Sequence, residues 1–286
     1  MKVHRWFILT LLAIVLWGFY GVAYNLAARQ IPALPNQVLS TIGLLVPALF
    51  LIPSVWRERG QGAGLWVAFV SGLIGAAGNL ALLQSLRENG QAAIIFPLTA
   101  LYPLVTVIIA VLFMRERAQT VQALGIALAL VAVVLLSLEP RANKVALRFA
   151  PWVFYALAAL VAFGLAAVFQ KLATNRVSAE TAFAMFAAGF VPGAIVICAW
   201  EGFSLKFEPA PLAWAIIGGL FNGLGVLATL AAYRGGGKAA VVTPLAAVYP
   251  VITVLIAVTF LGEKLNVIQG AGIALAILGA LFLSRE

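Results

Sequence analysis

The sequence predicts an all-α integral membrane protein with about ten transmembrane helices, arranged as two inverted five-helix repeats. Three observations predict this fold class: the apolar composition, the length of the apolar runs, and an internal repeat with an odd number of runs per copy. Of 286 residues, 64% are hydrophobic and 9% are charged, whereas soluble domains have roughly 45–50% apolar and about 25% charged residues. The composition is therefore that of a protein surrounded by lipid.

The apolar runs are each about 20 residues long, which is enough for a helix to cross the hydrocarbon core. The first run is too long for the core of a signal peptide and lacks a small-residue cleavage site, so we interpret it as the first transmembrane helix. We number the runs as spans one to ten: 6–28, 36–56, 63–86, 91–114, 119–138, 150–170, 179–200, 211–233, 238–261 and 266–284.

An internal repeat relates the two parts of the chain. A shift of about 147 positions aligns 78–139 with 225–286 without a gap, and close to half of the aligned residues are identical. Span one matches span six more weakly, as WGFYGVAYNLA (17–27) against FGLAAVFQKLA (163–173). Each copy holds five spans, and because five is odd, the two copies must enter the membrane from opposite sides.

We therefore predict one repeat over 1–140 and a second over 146–286, related by a pseudo-two-fold axis in the membrane plane. Inverted repeats are typical of transporters that work by alternating access, with the substrate site near the bilayer midplane between the halves. The alternative is that duplication only makes a stable bundle, since paired repeats also occur in membrane enzymes and channels. The polar residues distinguish between these readings.

Few side chains are available for catalysis, metal binding or proton relay. Cys198 is the one cysteine and lies in an apolar run, and His4 is the one histidine and lies in the basic N-terminal segment. We therefore expect no disulfide framework, no metal site, no catalytic residue and no cofactor. All nine acids are Glu, and none lies near the middle of a span, where a proton relay would need one.

The net charge of +9 does not indicate nucleic-acid binding here, because the Lys and Arg residues lie in short loops between spans. Such loops orient a chain and meet anionic lipid, so membrane lipids are the expected partner. With the N-terminus in the cytoplasm, the count is 11 basic residues inside and 7 outside. We predict a multi-pass protein of the cytoplasmic membrane with both termini cytoplasmic.

The segments FPLTALYP (96–103) and TPLAAVYP (243–250) occupy matching places in spans four and nine. Each carries two prolines, which remove backbone donors and clash with the preceding turn; these are Pro97, Pro103, Pro244 and Pro250. Interrupted helices at matching places in two inverted halves are the best pointer in a sequence to a transporter's site. We predict that the prolines kink both spans around a central cavity and that each span presents a tyrosine to it. Packing alone is the alternative.

The candidate cavity residues combine aromatic rings with amides, which suits an amphipathic organic solute. Trp17, Tyr20 and Tyr24 lie at i, i+3 and i+7 and so share one helix face. Core packing is the alternative for the rings, and interhelical hydrogen bonding for the amides. The full candidate set is Trp17, Tyr20, Tyr24, Asn79, Thr99, Tyr102, Phe163, Gln170, Lys171, Asn222 and Tyr249.

Lys171, at the end of span six, has two interpretations. Its ammonium either extends to the membrane interface or meets a carboxylate or phosphate on the substrate. Two further features point to structure. Gly72 and Ala76 in span three and their counterparts in span eight predict close helix packing. Glu116 and Glu263 precede the last span of each half, where we expect each to cap its own helix.

The doubled segments GQAAIIFPLTALYPLVTVIIAVLFMRER (90–117) and GKAAVVTPLAAVYPVITVLIAVTFLGEK (237–264), with LWGFYGVAYNLA (16–27), resemble the EamA-type ten-helix family of the drug/metabolite transporter (DMT) superfamily. The resemblance covers nearly all of the chain. It implies a cavity lined mainly by the first, third and fourth helices of each half, and movement, often export, of amino acids or related compounds. The Gly-Glu that usually precedes the last helix is intact at Gly262-Glu263 but reads Arg115-Glu116 in the first half.

We therefore expect a secondary transporter of small organic metabolites, a monomer or homodimer, and not an enzyme. A lipid-linked sugar flippase and a multidrug exporter of the same fold stay open as alternatives. An intramembrane enzyme would need a buried acid, a Ser–His pair or a metal cluster, and a channel would use charged rings. Without an acid in mid-membrane, downhill transport or exchange is favoured over strict proton coupling.

Overall fold

The structure, a computed structural model, describes residues 5–88, 90–106, 109, 120–136, 139–141, 144–146, 150–201, 206–237 and 239–283. These residues are helical apart from turns and one antiparallel hairpin of β1 (Glu139–Arg141) and β2 (Lys144–Ala146). The helices are α1 (Arg5–Ala28), α2 (Ala33–Leu49), α3 (Ile52–Arg57), α4 (Gly62–Arg87), α5 (Ala92–Thr99), α6 (Thr120–Leu136), α7 (Pro151–Thr174), α8 (Ala179–Ala188), α9 (Val191–Glu201), α10 (Pro209–Arg234), α11 (Ala239–Ala246), α12 (Pro250–Phe260) and α13 (Val267–Leu283).

The predicted fold class is confirmed. In the described part of the chain, six helical segments are long and apolar enough to cross a membrane: Arg5–Ala28, Gly62–Arg87, Pro151–Thr174, Ala179–Trp200, Pro209–Arg234 and Val241–Phe260. Shorter apolar helices, Ala33–Leu49, Ala92–Thr106, Leu124–Leu136 and Val267–Phe282, fall in spans two, four, five and ten. Every predicted span therefore contains an apolar helix.

Spans four and nine are broken at their second proline. α5 ends at Thr99 and helix resumes at Pro103, while α11 ends at Ala246 and α12 begins at Pro250. A proline is tolerated at the first position of a helix because the amide it lacks has no intrahelical partner there. Each span is thus two helical segments joined at a turn.

The carbonyl groups deprived of their usual donors by these second prolines are still hydrogen-bonded. The Thr99 carbonyl accepts from the Tyr102 amide at 3.1 Å, and the Ala246 carbonyl accepts from the Tyr249 amide at 3.1 Å. The donors lie three residues on instead of four, as in a tightened final turn. The turns therefore place both tyrosines without leaving these two backbone groups unsatisfied in the membrane.

Spans two and seven are also divided, although the sequence predicts each as continuous. α2 and α3 are separate helices with Pro53 in the first turn of α3, and α8 and α9 are separated by Gly189 and Phe190. Pro192 is the second residue of α9. Proline removes an i→i−4 bond and clashes with the preceding turn, so in both spans the helix restarts at a proline.

The most extensive helix contacts join the two halves. α1 packs along α10, and α4 packs along α7, so the first helix of each half lies against the third long helix of the other. α13 packs along α6, α10 crosses α2, and α4 crosses α8. Each of these helix pairs therefore contains one helix from each half of the protein.

The small-residue seams pack as predicted. A Cβ atom at Gly72 of α4 would overlap the carbonyl oxygen of Phe186 in α8, and one at Gly219 of α10 would overlap the carbonyl oxygen of Ser40 in α2. Small residues let helix backbones approach this closely in membranes. The two crossings are repeat equivalents, and both lie between halves.

Two arginines cap the first helix of each half. Arg87 Nη1 donates to the carbonyl of Ala28 at 3.1 Å, and Arg234 Nη1 donates to the carbonyl of Thr174 at 3.3 Å. A cation beside the last carbonyls of a helix satisfies unpaired acceptors and complements the helix dipole. Because the two arginines are repeat equivalents, the same cap occurs once in each half.

The two caps lie at opposite ends of the bundle. Arg87 meets the last residue of α1, whereas Gly235, next to Arg234, lies beside Trp6 in the first turn of α1. A helix of the length of α1 spans about 36 Å. We call these the Arg87 end and the Arg234 end.

The prediction that Glu263 caps its own helix is wrong. α13 begins at Val267, four residues later. Its first turn is closed by Asn266 and Gln269: the Gln269 amide donates to Asn266 Oδ1 at 2.9 Å, and the Asn266 amide donates to Gln269 Oε1 at 3.1 Å. This reciprocal pair is a capping box, so the helix does not need Glu263. The equivalent prediction for Glu116 lies outside the described residues.

Candidate substrate cavity

A cavity lies between the two halves. It is lined mainly by aromatic and small side chains with a few amide and hydroxyl groups, and it is partly open at its mouth. Among the residues the structure describes, the lining includes no carboxylate and no Lys or Arg. The described residues also contain no group of three or more His, Cys, Asp or Glu that could hold a metal ion.

Most of the candidate residues meet at this cavity. Those in its wall are Trp17, Tyr20, Tyr102, Phe163, Gln170, Asn222 and Tyr249. The other four do not line it: Tyr24, Asn79 and Thr99 are buried in the surrounding bundle, and Lys171 lies at the rim. That the wall residues bind a substrate stays a prediction.

Tyr24 and Asn79 belong to a buried polar network next to the cavity. Asn79 Nδ2 donates to Gln37 Oε1 at 2.6 Å, and the Tyr24 hydroxyl lies near the side chains of Ser40, Asn79 and Asn222. These contacts join α1, α2, α4 and α10, as interhelical hydrogen bonds do in membranes. Among the described residues, Asn79 Oδ1 has no hydrogen-bond partner.

Lys171 lies in the last turn of α7, half-buried, with its ammonium 5.9 Å from the centroid of the Tyr233 ring. Tyr233 is a wall residue, and its hydroxyl shares a 2.7 Å hydrogen bond with Thr243 Oγ1. A cation over an aromatic face is stabilised by about 0.5–1 kcal/mol where it is partly exposed. The ammonium therefore lies beside a wall residue near the end of α7, which we call the rim of the cavity, and both interpretations of Lys171 stay open.

The two proline-associated tyrosines make reciprocal contacts across the halves. The Tyr102 hydroxyl donates to the Thr243 carbonyl at 3.5 Å, and the Tyr249 ring lies 6.3 Å from the Phe96 ring in an edge-to-face arrangement. Thr243 and Phe96 are repeat equivalents, and each immediately precedes a proline. Each broken span therefore places its tyrosine against the other broken span.

Aromatic rings close the cavity toward the Arg87 end. Tyr20 and Phe96 pack edge to face at 5.7 Å, and Trp17 and Tyr249 pack edge to face at 5.8 Å. With the Phe96–Tyr249 contact, these four residues form a continuous layer, which we call the aromatic floor. Edge-to-face packing at such distances adds about 0.5–1.5 kcal/mol per pair beyond burial.

The cavity extends in the other direction, toward the Arg234 end. Its wall includes Gln170 and Tyr233, which lie near the C-terminal ends of α7 and α10. Arg234 follows Tyr233 directly. The cavity is thus asymmetric, with a floor near one end of the bundle and a rim near the other.

Sequence reasoning missed several wall residues, chiefly Phe186, Phe190, Thr229 and Tyr233. A helical signal was present for two of them, because Thr229 and Tyr233 follow Asn222 at i+7 and i+11 on one face. Tyr233 aligns with a leucine in the first half, so a search guided by the repeat does not select it.

These features define a class: a polytopic membrane protein of two inverted helical repeats around a central cavity. The EamA-like transporter family matches the chain twice, over residues 4–138 and 150–285. The chain belongs to the EamA-like transporter family, within the DMT superfamily.

The chain is also similar to individual proteins. An uncharacterized protein of Methanocaldococcus jannaschii, MJ1333.1, is 27% identical over 132 residues, which is 46% of this chain and 96% of that protein. The match therefore has about the length of one repeat. A crystal structure of another protein superposes with a TM-score of 0.62 at 20% identity, covering 96% of this chain and 94% of that one, and so supports the fold over nearly the whole chain.

Proposed function

We propose that the protein is a secondary carrier that moves small organic metabolites, amino acids or related compounds, by alternating access. The observation that carries the proposal is the asymmetric cavity between two inverted halves, with an aromatic floor toward one end and a rim at the other. Rocking of one inverted repeat against the other would move the closure from one end to the opposite one.

The chemistry of the wall supports an amphipathic cargo. The faces of Trp17, Phe163 and Phe186 offer apolar contact, while Gln170 and Asn222 offer amide donors and acceptors. Such a combination, mostly aromatic with a few polar groups, is typical of sites that orient an organic molecule. It suits a solute with an apolar body and a polar head.

The charges support a cargo with a carboxylate or phosphate. Lys171 holds its ammonium at the rim, over the ring of Tyr233, and the described wall contains no carboxylate that would bind an organic cation. Amino acids, whose carboxylate can meet Lys171 and whose ammonium can donate to the amide oxygens of Gln170 and Asn222, fit this arrangement better than drugs that carry only positive charge.

We further propose that the Arg234 end faces the cytoplasm, with both termini on that side of the cytoplasmic membrane. The excess of basic residues there, 11 against 7, supports this orientation by the positive-inside rule. The cavity would then receive solute from the cytoplasm, as an exporter requires.

Counterflow in proteoliposomes tests the proposal. Vesicles containing purified protein are loaded with unlabelled candidate solutes, selected by thermal shift because a ligand of the folded state raises its apparent stability. Labelled solute is then supplied outside. A carrier accumulates label transiently, because the internal solute exchanges for it. Uptake that is independent of internal solute would indicate a channel, and absence of uptake for amino acids, nucleosides, sugar phosphates and cationic drugs would contradict the proposal.

A further inference from the structure

Glu263 connects the second half of the protein to two helices of the first. Its Oε1 accepts from Asn25 Nδ2 at 2.8 Å, and its Oε2 accepts from the Ala93 amide at 2.8 Å. A longer bond of 3.4 Å joins the Ala92 amide to Oε1. Asn25 lies in the last turn of α1, and the two alanines are the first residues of α5. One carboxylate therefore meets donors from both elements.

The local backbone directs Glu263 away from its own helix. The Leu261 and Glu263 amides both donate to the Ala257 carbonyl, at 3.2 and 3.1 Å, and Gly262 between them has a φ of +70°. A left-handed glycine with these two bonds ends α12 in a closed turn. Because α13 is capped by Asn266 and Gln269, the Glu263 side chain is free to serve another helix.

The helix that receives it lacks a cap of its own. Gln91 precedes α5 and makes no side-chain capping bond, so the first amides of α5 depend on an acceptor from elsewhere. A carboxylate at a helix N-terminus is held by charge-assisted hydrogen bonds and by the helix dipole. Glu263 supplies that acceptor from the opposite half.

This contact lies on the outer side of the aromatic floor. Asn25 is five residues beyond Tyr20 along α1, and Ala92 is four residues before Phe96 in α5. Tyr20 and Phe96 form one of the ring pairs of the floor. For the Arg87 end to open, α1 and α5 must separate from the second half, and the bonds to Glu263 must break.

We propose that Glu263 is a latch that holds the cavity closed at the Arg87 end and sets the balance between the two open states of the carrier. The inference rests on the proposed alternating-access function. In this proposal, Glu263 caps α5, which is the first helical segment of the broken span in the other repeat. Because it bonds only when the Arg87 end is closed, its removal shifts the population toward the state open at that end.

Distance measurement between spin labels tests the latch without any substrate. The labels are placed at Arg29 and Lys264, which are exposed and lie in opposite halves near the contact, as R29C and K264C with Cys198→Ser. Glu263→Ala removes all three bonds, and Glu263→Gln keeps an acceptor without the charge. We expect the ratio of long to short distances to rise about tenfold for Glu263→Ala, with Glu263→Gln intermediate.

The matched control is Glu88→Gln. Glu88 lies at the same end, and its carboxylate accepts from Gln84 Nε2 at 2.8 Å within its own helix, so its loss should leave the distances unchanged. Asn25→Ala removes one hydrogen-bond donor and leaves Glu263 unchanged, so it should give a smaller shift in the same direction. It replaces Glu263→Ala in the experiment if that variant does not fold.

Distances that stay the same in Glu263→Ala, Glu263→Gln and Asn25→Ala would overturn the latch. An equal shift in Glu88→Gln would do so as well, because it would show a general loss of charge. These results distinguish failure of the latch from failure of the proposed function. Unchanged distances in a protein that shows counterflow would mean that it is a carrier without this latch. Shifted distances in a protein that shows no counterflow of any solute would contradict the carrier function instead.

Discussion

The Tyr102 hydroxyl of the first half donates to the Thr243 carbonyl of the second half at 3.5 Å. Thr243 is the residue before the first proline of the opposite broken span. Its carbonyl already accepts from the Ala247 amide at 3.0 Å, so the tyrosine adds a second bond. The contact lies at the long end of the hydrogen-bond range, so it is a weak constraint on the hydroxyl.

Replacing Tyr102 with Phe should therefore reduce transport more than stability. The ring stays in place, and the lost bond is worth only about 0.5–1.5 kcal/mol, so the melting temperature in detergent should fall by a few degrees at most. We expect the KM for counterflow to rise several-fold if the hydroxyl also contacts the substrate. Tyr155→Phe, at an exposed position of α7 that does not line the described cavity, is the control. An unchanged KM for every transported solute would show that the Tyr102 hydroxyl does not contact the substrate.

Lys171→Gln should change the charge preference of the carrier. Loss of an ammonium that meets a substrate carboxylate costs about 1.5–3 kcal/mol, so kcat/KM for carboxylate-bearing solutes should fall about tenfold or more. Uncharged analogues should be transported as before. Lys264→Gln removes an exposed lysine at the opposite end and controls for net charge. An equal effect on charged and neutral solutes would leave Lys171 with an interfacial role only.

Gly219→Ala should destabilise the bundle, because its Cβ would overlap the Ser40 carbonyl at a crossing between halves. Forcing a methyl group into a packed contact costs about 1–3 kcal/mol. The measurement is the melting temperature of the purified protein in detergent. Gly270→Ala is the matched control: it lies in α13, and no atom of the described residues lies within 4 Å of the added Cβ, so it should be neutral or stabilising. Equal melting temperatures for both variants would contradict close packing of α10 against α2 at Gly219.

Gly262→Ala should weaken the Glu263 contact without removing the carboxylate. A φ of +70° costs a residue with a Cβ roughly 1–2 kcal/mol, so the turn that directs Glu263 should relax. We expect a shift of the R29C–K264C distances in the same direction as Glu263→Gln, but smaller. Gly60→Ala, where nothing lies within 4 Å and φ is not positive, provides the comparison. If the label distances shifted in the Gly60 variant and not in the Gly262 variant, the turn at Gly262 would not be what directs Glu263 to its contact.

Much of the fold follows from sequence because lipid leaves a chain few choices. Without water to satisfy backbone groups, each apolar run of about 20 residues must be a helix, and an odd number of runs per repeat inverts the second copy. The paired prolines mark where helices break, and the glycines of spans three and eight mark where helices cross. These signals are local or repeat with the duplication, so they can be read without coordinates.

The tertiary structure decided which side chains meet. Glu263 bonds to Asn25, which lies 238 residues away in the chain, and no local pattern pairs them. Tyr24 and Asn79 share the residue types of the wall but turn to a buried network, whereas Tyr233, without a counterpart in the repeat, enters the wall. The physical reason is that helix formation in lipid depends on each segment alone, while the rotation of a helix depends on packing against helices from the other half.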